Sequence, residues 1–242
     1  MIRSLHHNTW LKILIWPTLY IALMGTANAL VTRQPNVTYG SPSYIAGMLP
    51  FLVGLAIFAT LSYLVQRKTL QPSWTEPPRR TMFIAIFLPS LAAASFYIAT
   101  NIRADHAFLI PLIVTALVGI AEETMFRRVT FIALLNHTNL KTAVFSSAIV
   151  FSLLHSVNVF AGLPATKMLF QLAMTFFAGI FYALMYYHTR SLVLAIASHW
   201  LWDYLILGGA EQQYDAIAVL ISALTIVQLI VVVVGVKRLA TT

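Results

Sequence analysis

The sequence contains no cysteine, and only 9% of its 242 residues are charged. The absence of cysteine excludes disulfide bonds, iron–sulfur clusters, thiolate zinc sites and a cysteine nucleophile. The scarcity of charge excludes an ordinary soluble domain, in which about 25% of residues are charged. Hydrophobic residues make up 60% of the chain, and the mean hydropathy is +0.82. The lipid bilayer is therefore the expected solvent of most of this protein.

The formal net charge of +8 does not indicate a nucleic-acid-binding protein. Its basic residues stand singly or in pairs, without the clustered Lys and Arg of an RNA or DNA interface. Lys and Arg at the ends of apolar segments are what membrane topology requires. We expect the lipid bilayer as a partner and no nucleic acid.

Long apolar segments predict an all-α bundle of about eight transmembrane helices. A helix needs about 20 mostly apolar residues to cross the hydrocarbon core, where it satisfies its own backbone hydrogen bonds. The predicted spans are residues 11–31, 44–66, 81–100, 108–135, 142–159, 167–187, 191–208 and 216–236. A polar, proline-rich connection at 67–80 suggests three regions: a helix pair with a cytoplasmic loop (1–80), a central bundle (81–208), and a last helix with a short tail (209–242).

The distribution of basic residues predicts the orientation in the membrane. With the N-terminus inside, the cytoplasmic set is Arg3, Lys12, Arg67, Lys68, Arg79, Arg80, Arg127, Arg128, Lys141, Arg190, Lys237 and Arg238, and the outer set is Arg33, Arg103 and Lys167. This excess follows the positive-inside rule, so we predict an inner (cytoplasmic) membrane protein with both termini in the cytoplasm. The triplet at 27–29 resembles a signal-peptide cleavage site, but the long apolar run before it favours a retained first helix.

A cluster of six ionisable residues lies in the interior of the predicted spans: Glu122, Glu123, Arg127, His155, His199 and Asp203. A charged group at the centre of a membrane helix costs about 2.5–3.5 kcal/mol on insertion scales, so it usually faces the bundle interior and marks a functional site. A structural salt bridge is the alternative. The rise per residue of a helix places Glu122, His155 and His199 at comparable depths. We therefore expect a site between the fourth, fifth and seventh spans.

Helix geometry assigns different roles to the two adjacent glutamates. Neighbouring side chains point in different directions, and Glu123 can pair with Arg127 at the i+4 position. Glu122 is then free to face a cavity and to act as a general base.

The sequence indicates a functional role less strongly for His155 than for His199. A lone His155 in an apolar helix is more often a packing residue than a catalyst, whereas His199 and Asp203 share one helix face at i and i+4. Asp203 is thus placed to orient or charge-stabilise His199. Asn158, one turn beyond His155, is predicted to cap its helix rather than to enter the site.

These residues form three motifs in order: Glu122-Glu123 with Phe126-Arg127, Phe151 with His155, and His199 with Asp203. The set resembles the CAAX protease and bacteriocin-processing family (CPBP, or Abi), intramembrane proteases related to the Ras-converting CAAX endopeptidase. The resemblance covers roughly residues 81–208.

The resemblance implies glutamate-dependent hydrolysis of a peptide bond within the membrane. Carried over by position, Glu122 and His155 would activate the attacking water. His199 and Asp203 would stabilise the oxyanion, and Glu123 and Arg127 would support the first motif. The implied partner is a peptide or protein substrate at the membrane.

Two residues depart from the family pattern. Arg128 stands where a small glycine is common, and Asp203 stands where the better-studied relatives carry an amide. A carboxylate is a poorer oxyanion partner, which raises the alternative of a metal ligand. Zinc could be held by Glu122, His155, His199 and Asp203, but there is no His-Glu-x-x-His pair, and we favour a mechanism that requires no cofactor.

Two other functions fit the same residues. The fold could serve as a non-catalytic membrane scaffold or self-immunity protein that binds a peptide. It could also serve as a proton-coupled transporter, although the sequence has no repeat or paired broken helices of the kind that transporters use. The substrate, its prenylation and the oligomeric state are not fixed by the sequence.

Overall fold

The computed structural model describes residues 7–241, a part of the chain that is helical and contains no β-strand. Arg3 of the predicted cytoplasmic set lies outside the described residues. The helices are α1 His7–Val31, α2 Pro42–Gln66, α3 Arg80–Asn101, α4 His106–Glu123, α5 Ile132–His137, α6 Leu140–Leu154, α7 Ala165–Thr189, α8 Leu192–Leu207, α9 Ala210–Gln213 and α10 Asp215–Thr241. This is a polytopic helical bundle, as the apolar segments predicted.

Seven segments of the described chain are long and apolar enough to cross a membrane. They correspond to seven of the eight predicted spans, and each structural boundary lies within a few residues of the predicted one. The eighth is α8, whose 16 residues make it shorter than the other seven. It is roughly 24 Å long at 1.5 Å per residue. This length is less than the roughly 30 Å of the hydrocarbon core, which the other seven segments are long enough to cross.

Polar side chains define where several of these helices begin. Asp105 accepts a hydrogen bond from the backbone N–H of Phe108 at 2.9 Å, at the start of α4. Ser191 accepts one from Leu194 N at 3.1 Å, at the start of α8. Such caps satisfy backbone donors that have no partner within the helix, and they fix the register of the two helices that carry most of the polar cluster.

Two of the predicted spans change their helical form part-way. α4 continues directly into a π-helical segment, Thr124–Phe131, and then into α5. Thr130 Oγ1 donates to the carbonyl of Met125, five residues earlier, at 2.9 Å. α6 continues into a 3₁₀ segment, His155–Ala161. π-Turns are rare and occur frequently at functional sites, and here both irregular segments adjoin the polar cluster.

Glycines allow two pairs of helices to approach closely. A Cβ atom on Gly119 of α4 would lie 2.9 Å from the carbonyl oxygen of Ile196 in α8, and one on Gly179 of α7 would lie 2.9 Å from Ala148 Cα in α6. Both distances are too short for a real Cβ. Small residues at helix interfaces are the usual means of close packing in membranes.

The connection at 67–80 packs against the bundle. Arg128 Nη1 donates to the carbonyl of Leu70 at 2.7 Å, and its guanidinium lies 4.6 Å from the ring centroid of Tyr63. Asn136 donates to the carbonyl oxygens of Thr69 and Gln71. Arg128, which stands where a small glycine is common in the first motif, therefore anchors this connection to the end of α2.

Candidate active site

Three predicted spans bring the polar residues together around one cavity. Glu122 lies in the last turn of α4, His155 begins the 3₁₀ segment after α6, and His199 and Asp203 lie one turn apart on α8. All four line a cavity of about 360 Å³, which we call the central cavity. Its wall also includes residues from α1, α2, α7 and α10, so it is enclosed by more of the bundle than the three helices the sequence indicated.

Glu123 joins the first motif to the third. Its Oε2 lies 3.0 Å from Arg127 Nε, and its Oε1 lies 2.9 Å from His199 Nδ1. The side chains of Glu123 and Arg127 are fully buried. The expected pair with Arg127 is present, but the direct bond to His199 was not anticipated. Glu123 therefore fixes the ring of His199 across the interface between two helices.

Aromatic rings enclose the buried arginine and the histidine. The guanidinium carbon of Arg127 lies 4.4 Å from the ring centroid of Phe151 and 5.7 Å from that of Tyr182. Tyr182 stacks on His199, with centroids 5.2 Å apart and an interplanar angle of 23°. Cation–π contacts of this kind are most favourable away from water. Phe151 of the second motif thus holds Arg127 of the first.

Glu122 occupies a different environment from its neighbour. It is buried, it lines the central cavity, and its Oε2 has no hydrogen-bond partner among the described residues. A buried polar atom without a partner is uncommon in folded proteins. The unpaired oxygen leaves this carboxyl group able to bind a water molecule or a substrate group in the cavity.

His155 is held in one tautomer by its own helix. Its Nδ1 lies 3.2 Å from the carbonyl oxygen of Phe151. Because a carbonyl can only accept, Nδ1 carries the proton, and Nε2 keeps its lone pair. None of the described residues donates a hydrogen bond to Nε2, so this nitrogen is available to accept a proton from a molecule in the cavity.

His199 lies between two carboxylates. Its Nε2 is 3.5 Å from Asp203 Oδ2, and its Nδ1 is bonded to Glu123 as described above. The longer contact to Asp203 is weak by hydrogen-bond geometry. An N–H at this position is therefore available to a ligand in the cavity, while Glu123 retains the ring.

Asn158 does not act as the helix cap that the sequence suggested. Its side chain lines the central cavity and donates to Tyr39 Oη at 3.0 Å and to Gln171 Oε1 at 2.9 Å. The cap prediction was wrong because the 3₁₀ segment turns this residue towards α7 and the α1–α2 connection. Tyr39, Gln171 and Tyr182 are site residues that the sequence analysis missed, and no local pattern distinguishes them from packing residues.

The zinc alternative requires Glu122, His155, His199 and Asp203 to surround one point. Among residues 7–241, no three His, Asp or Glu side chains are grouped as a metal ion would need. Both ring nitrogens of His199 already face carboxylates. The arrangement of these side chains does not fit the zinc site, and no step below is assigned to a metal.

Residues 104–205 match a family model described as type II CAAX prenyl endopeptidase, Rce1-like. This segment contains all three motifs. This segment is therefore similar to the CAAX protease family. No curated protein and no solved structure matches the chain. This match agrees with the resemblance drawn from the motifs, and it favours a membrane protease without naming its substrate or its catalytic residues.

Proposed function

We propose that this protein is an intramembrane endopeptidase in which Glu122 activates the attacking water. The observation that carries the proposal is the unpaired Oε2 of Glu122, which is buried in the wall of a cavity that also contains His155. The free Nε2 of His155 gives the same water a second acceptor. A general base must lie within hydrogen-bond reach of the proton it removes. A water molecule bound in this cavity would meet that requirement at Glu122.

In the proposed reaction, Glu122 takes a proton from water as the water oxygen bonds to the carbonyl carbon of the scissile peptide. The carbonyl π electrons move to oxygen, and His199 donates a hydrogen bond to the resulting oxyanion. The C–N bond then breaks, and the amine nitrogen receives the proton that Glu122 holds. A single oxyanion donor contributes about 2.7–4 kcal/mol.

We assign Glu123 and Arg127 a positioning role through His199. Glu123 holds His199 Nδ1, and Arg127 holds the second oxygen of the same carboxylate. Asp203, at 3.5 Å from His199 Nε2, is assigned to orient that ring and to stabilise its charged form. The mechanism uses side chains and water and requires no cofactor.

The substrate is proposed to be a small peptide or a membrane-associated protein that reaches the site within the bilayer. The proposed location is the cytoplasmic membrane, with both termini inside, because basic residues concentrate at that end of the helices. With this orientation the α1–α2 connection, which contributes Tyr39 to the central cavity, lies on the outer side.

Replacement of Glu122 tests the reaction directly. Glu122→Gln keeps the size of the side chain and removes its basic carboxylate, so peptides released by the wild-type protein should disappear. The measurement is a mass-spectrometric comparison of membrane peptides from cells that produce each form. Glu211→Gln, which changes a glutamate outside the central cavity, should leave the peptides unchanged.

Unaltered cleavage by a folded Glu122→Gln protein would refute the mechanism. A phenotype that survives this change but fails when loops are altered would instead identify a scaffold or immunity protein. Substrate flux into vesicles that depends on a pH gradient would identify a transporter.

A further inference from the structure

A chain of hydrogen bonds fixes the donors and acceptors at one end of the central cavity. Asn28 is fully buried, and its Nδ2 donates to the carbonyl of Val157 at 3.1 Å. Because a carbonyl can only accept, the orientation of this amide is determined. Asn28 Oδ1 then accepts from Tyr44 Oη at 2.7 Å, and Nδ2 also donates to Asn158 Oδ1 at 3.1 Å. The orientation of Asn158 follows from that of Asn28.

The same chain makes the Tyr39 hydroxyl a double acceptor. Asn158 Nδ2 donates to Tyr39 Oη at 3.0 Å and to Gln171 Oε1 at 2.9 Å. Because Gln171 Oε1 accepts from Asn158, the amide nitrogen of Gln171 faces Tyr39, and Nε2 donates to Tyr39 Oη at 2.9 Å. A phenol oxygen accepts two hydrogen bonds and donates one. Both acceptor positions of the Tyr39 oxygen are filled, and none of residues 7–241 accepts its proton.

The unused proton belongs to a side chain in the wall of the proposed site. Tyr39 lines the central cavity together with Glu122, His155 and Asp203. Burial raises the pKa of Tyr39 above its usual value; the hydrogen bond from Gln171 opposes this rise, and the carboxylates of Asp203 and Glu122 add to it. The hydroxyl therefore keeps its proton at neutral pH and remains a hydrogen-bond donor.

The cavity is otherwise rich in acceptors. In the proposed reaction Glu122 binds the attacking water as an acceptor, and Asp203 Oδ2 faces His199 Nε2 as an acceptor. His155 donates its Nδ1 proton to its own helix. Among the cavity residues considered above, His199 and Tyr39 are two that can donate to a substrate carbonyl oxygen.

We infer that Tyr39 donates its hydroxyl proton to the carbonyl oxygen of the scissile peptide and stabilises the oxyanion together with His199. This inference rests on the proposed peptidase activity. It makes the α1–α2 connection, which lies outside the family-matched segment, a contributor to catalysis. Tyr39 and His199 are on separate elements, and they would have to approach the same oxygen from different sides.

The test is Tyr39→Phe, which retains the ring and removes only the hydroxyl. Membranes carrying each variant are incubated, and peptides that require Glu122 are quantified over time. A synthetic copy of one such peptide then gives kcat and KM. Loss of an oxyanion donor lowers kcat on the order of 10²-fold, and KM should change little. Tyr97→Phe is the matched control, because Tyr97 is not part of the cavity wall and its hydroxyl donates to the backbone carbonyl of Gly208.

The possible outcomes separate this inference from the proposed function. If the release of a peptide requires Glu122 but proceeds at a normal rate in Tyr39→Phe, only the role of Tyr39 is overturned. Peptides that do not require Glu122 would overturn both. A fall in thermal stability or a rise in KM, with kcat unchanged, would show that Tyr39 only packs the connection and would also overturn the inference. Equal loss of kcat in Tyr97→Phe would have the same meaning.

Discussion

At the scale of single residues, two adjacent glutamates lie in different surroundings. Glu123 forms an ion pair with Arg127 and a hydrogen bond with His199, whereas Glu122 lines the cavity and its Oε2 has no hydrogen-bond partner among the described residues. The helix turns by about 100° between them, and this rotation places one carboxylate against Arg127 and His199 and the other in the cavity wall.

The buried ion pair leads to a prediction of stability. Glu123→Gln leaves the guanidinium of Arg127 buried without its counter-charge, which costs about 3–5 kcal/mol. The thermal unfolding temperature of the purified protein in detergent should fall markedly. Arg103→Gln is the control, because Arg103 pairs with Asp105 at 3.3 Å on an exposed surface, and such pairs contribute about 0–1 kcal/mol. Equal effects of the two changes would contradict the assignment of Glu123.

At the scale of helices, the site depends on how closely α4 approaches α8. Gly119 lies one turn before Glu123, and α8 carries His199, so the approach at Gly119 sets the distance of the bond between these side chains. A side chain at this position would meet backbone atoms, which cannot move aside independently. The two helices would have to separate.

Gly119→Val is therefore expected to lower peptidase activity more than it lowers helix content. A displacement of about 1 Å in a catalytic group can cost on the order of 10²-fold in rate. Gly54→Val is the matched control, since a Cβ on Gly54 meets no atom within 4 Å. Activity and circular dichroism are compared for both variants. An active Gly119→Val protein would show that the close contact does not position the site.

The helices and the site differ in how far the sequence could predict them. Apolar length determined the spans, and spacing determined which of Glu122 and Glu123 pairs with Arg127. Nothing in the side chains of Thr124–Phe131 indicates a π-helix, because that form depends on packing along the whole of α4. Tyr39 and Gln171 were missed because they meet Asn158 only after the bundle has assembled.

At the scale of the whole molecule, the orientation in the membrane decides from which side the central cavity is reached. Tyr39 lies in the connection between α1 and α2, at the opposite end of α2 from the connection at 67–80. The proposed orientation places the first connection outside and the second inside. The cavity would then extend towards the outer face, where a leader or surface peptide would be met.

The absence of cysteine makes this orientation simple to test. Thr38→Cys and Ser73→Cys each introduce one thiol at an exposed position, in the first and the second connection respectively. A membrane-impermeant maleimide should label Thr38→Cys in intact spheroplasts and Ser73→Cys only after lysis. The opposite pattern would place the α1–α2 connection in the cytoplasm and reverse the proposed topology.

The position of Tyr39 and Tyr44 in the cavity wall limits how the protein can be trimmed. A fragment cut to residues 104–205 would keep Glu122, His155 and His199, yet it would lose the wall that α1 and α2 provide. Lipid or detergent could then enter beside the attacking water. Fragments for expression and grafts onto other scaffolds should therefore carry the first two helices, either in the same chain or supplied as a separate complementing piece.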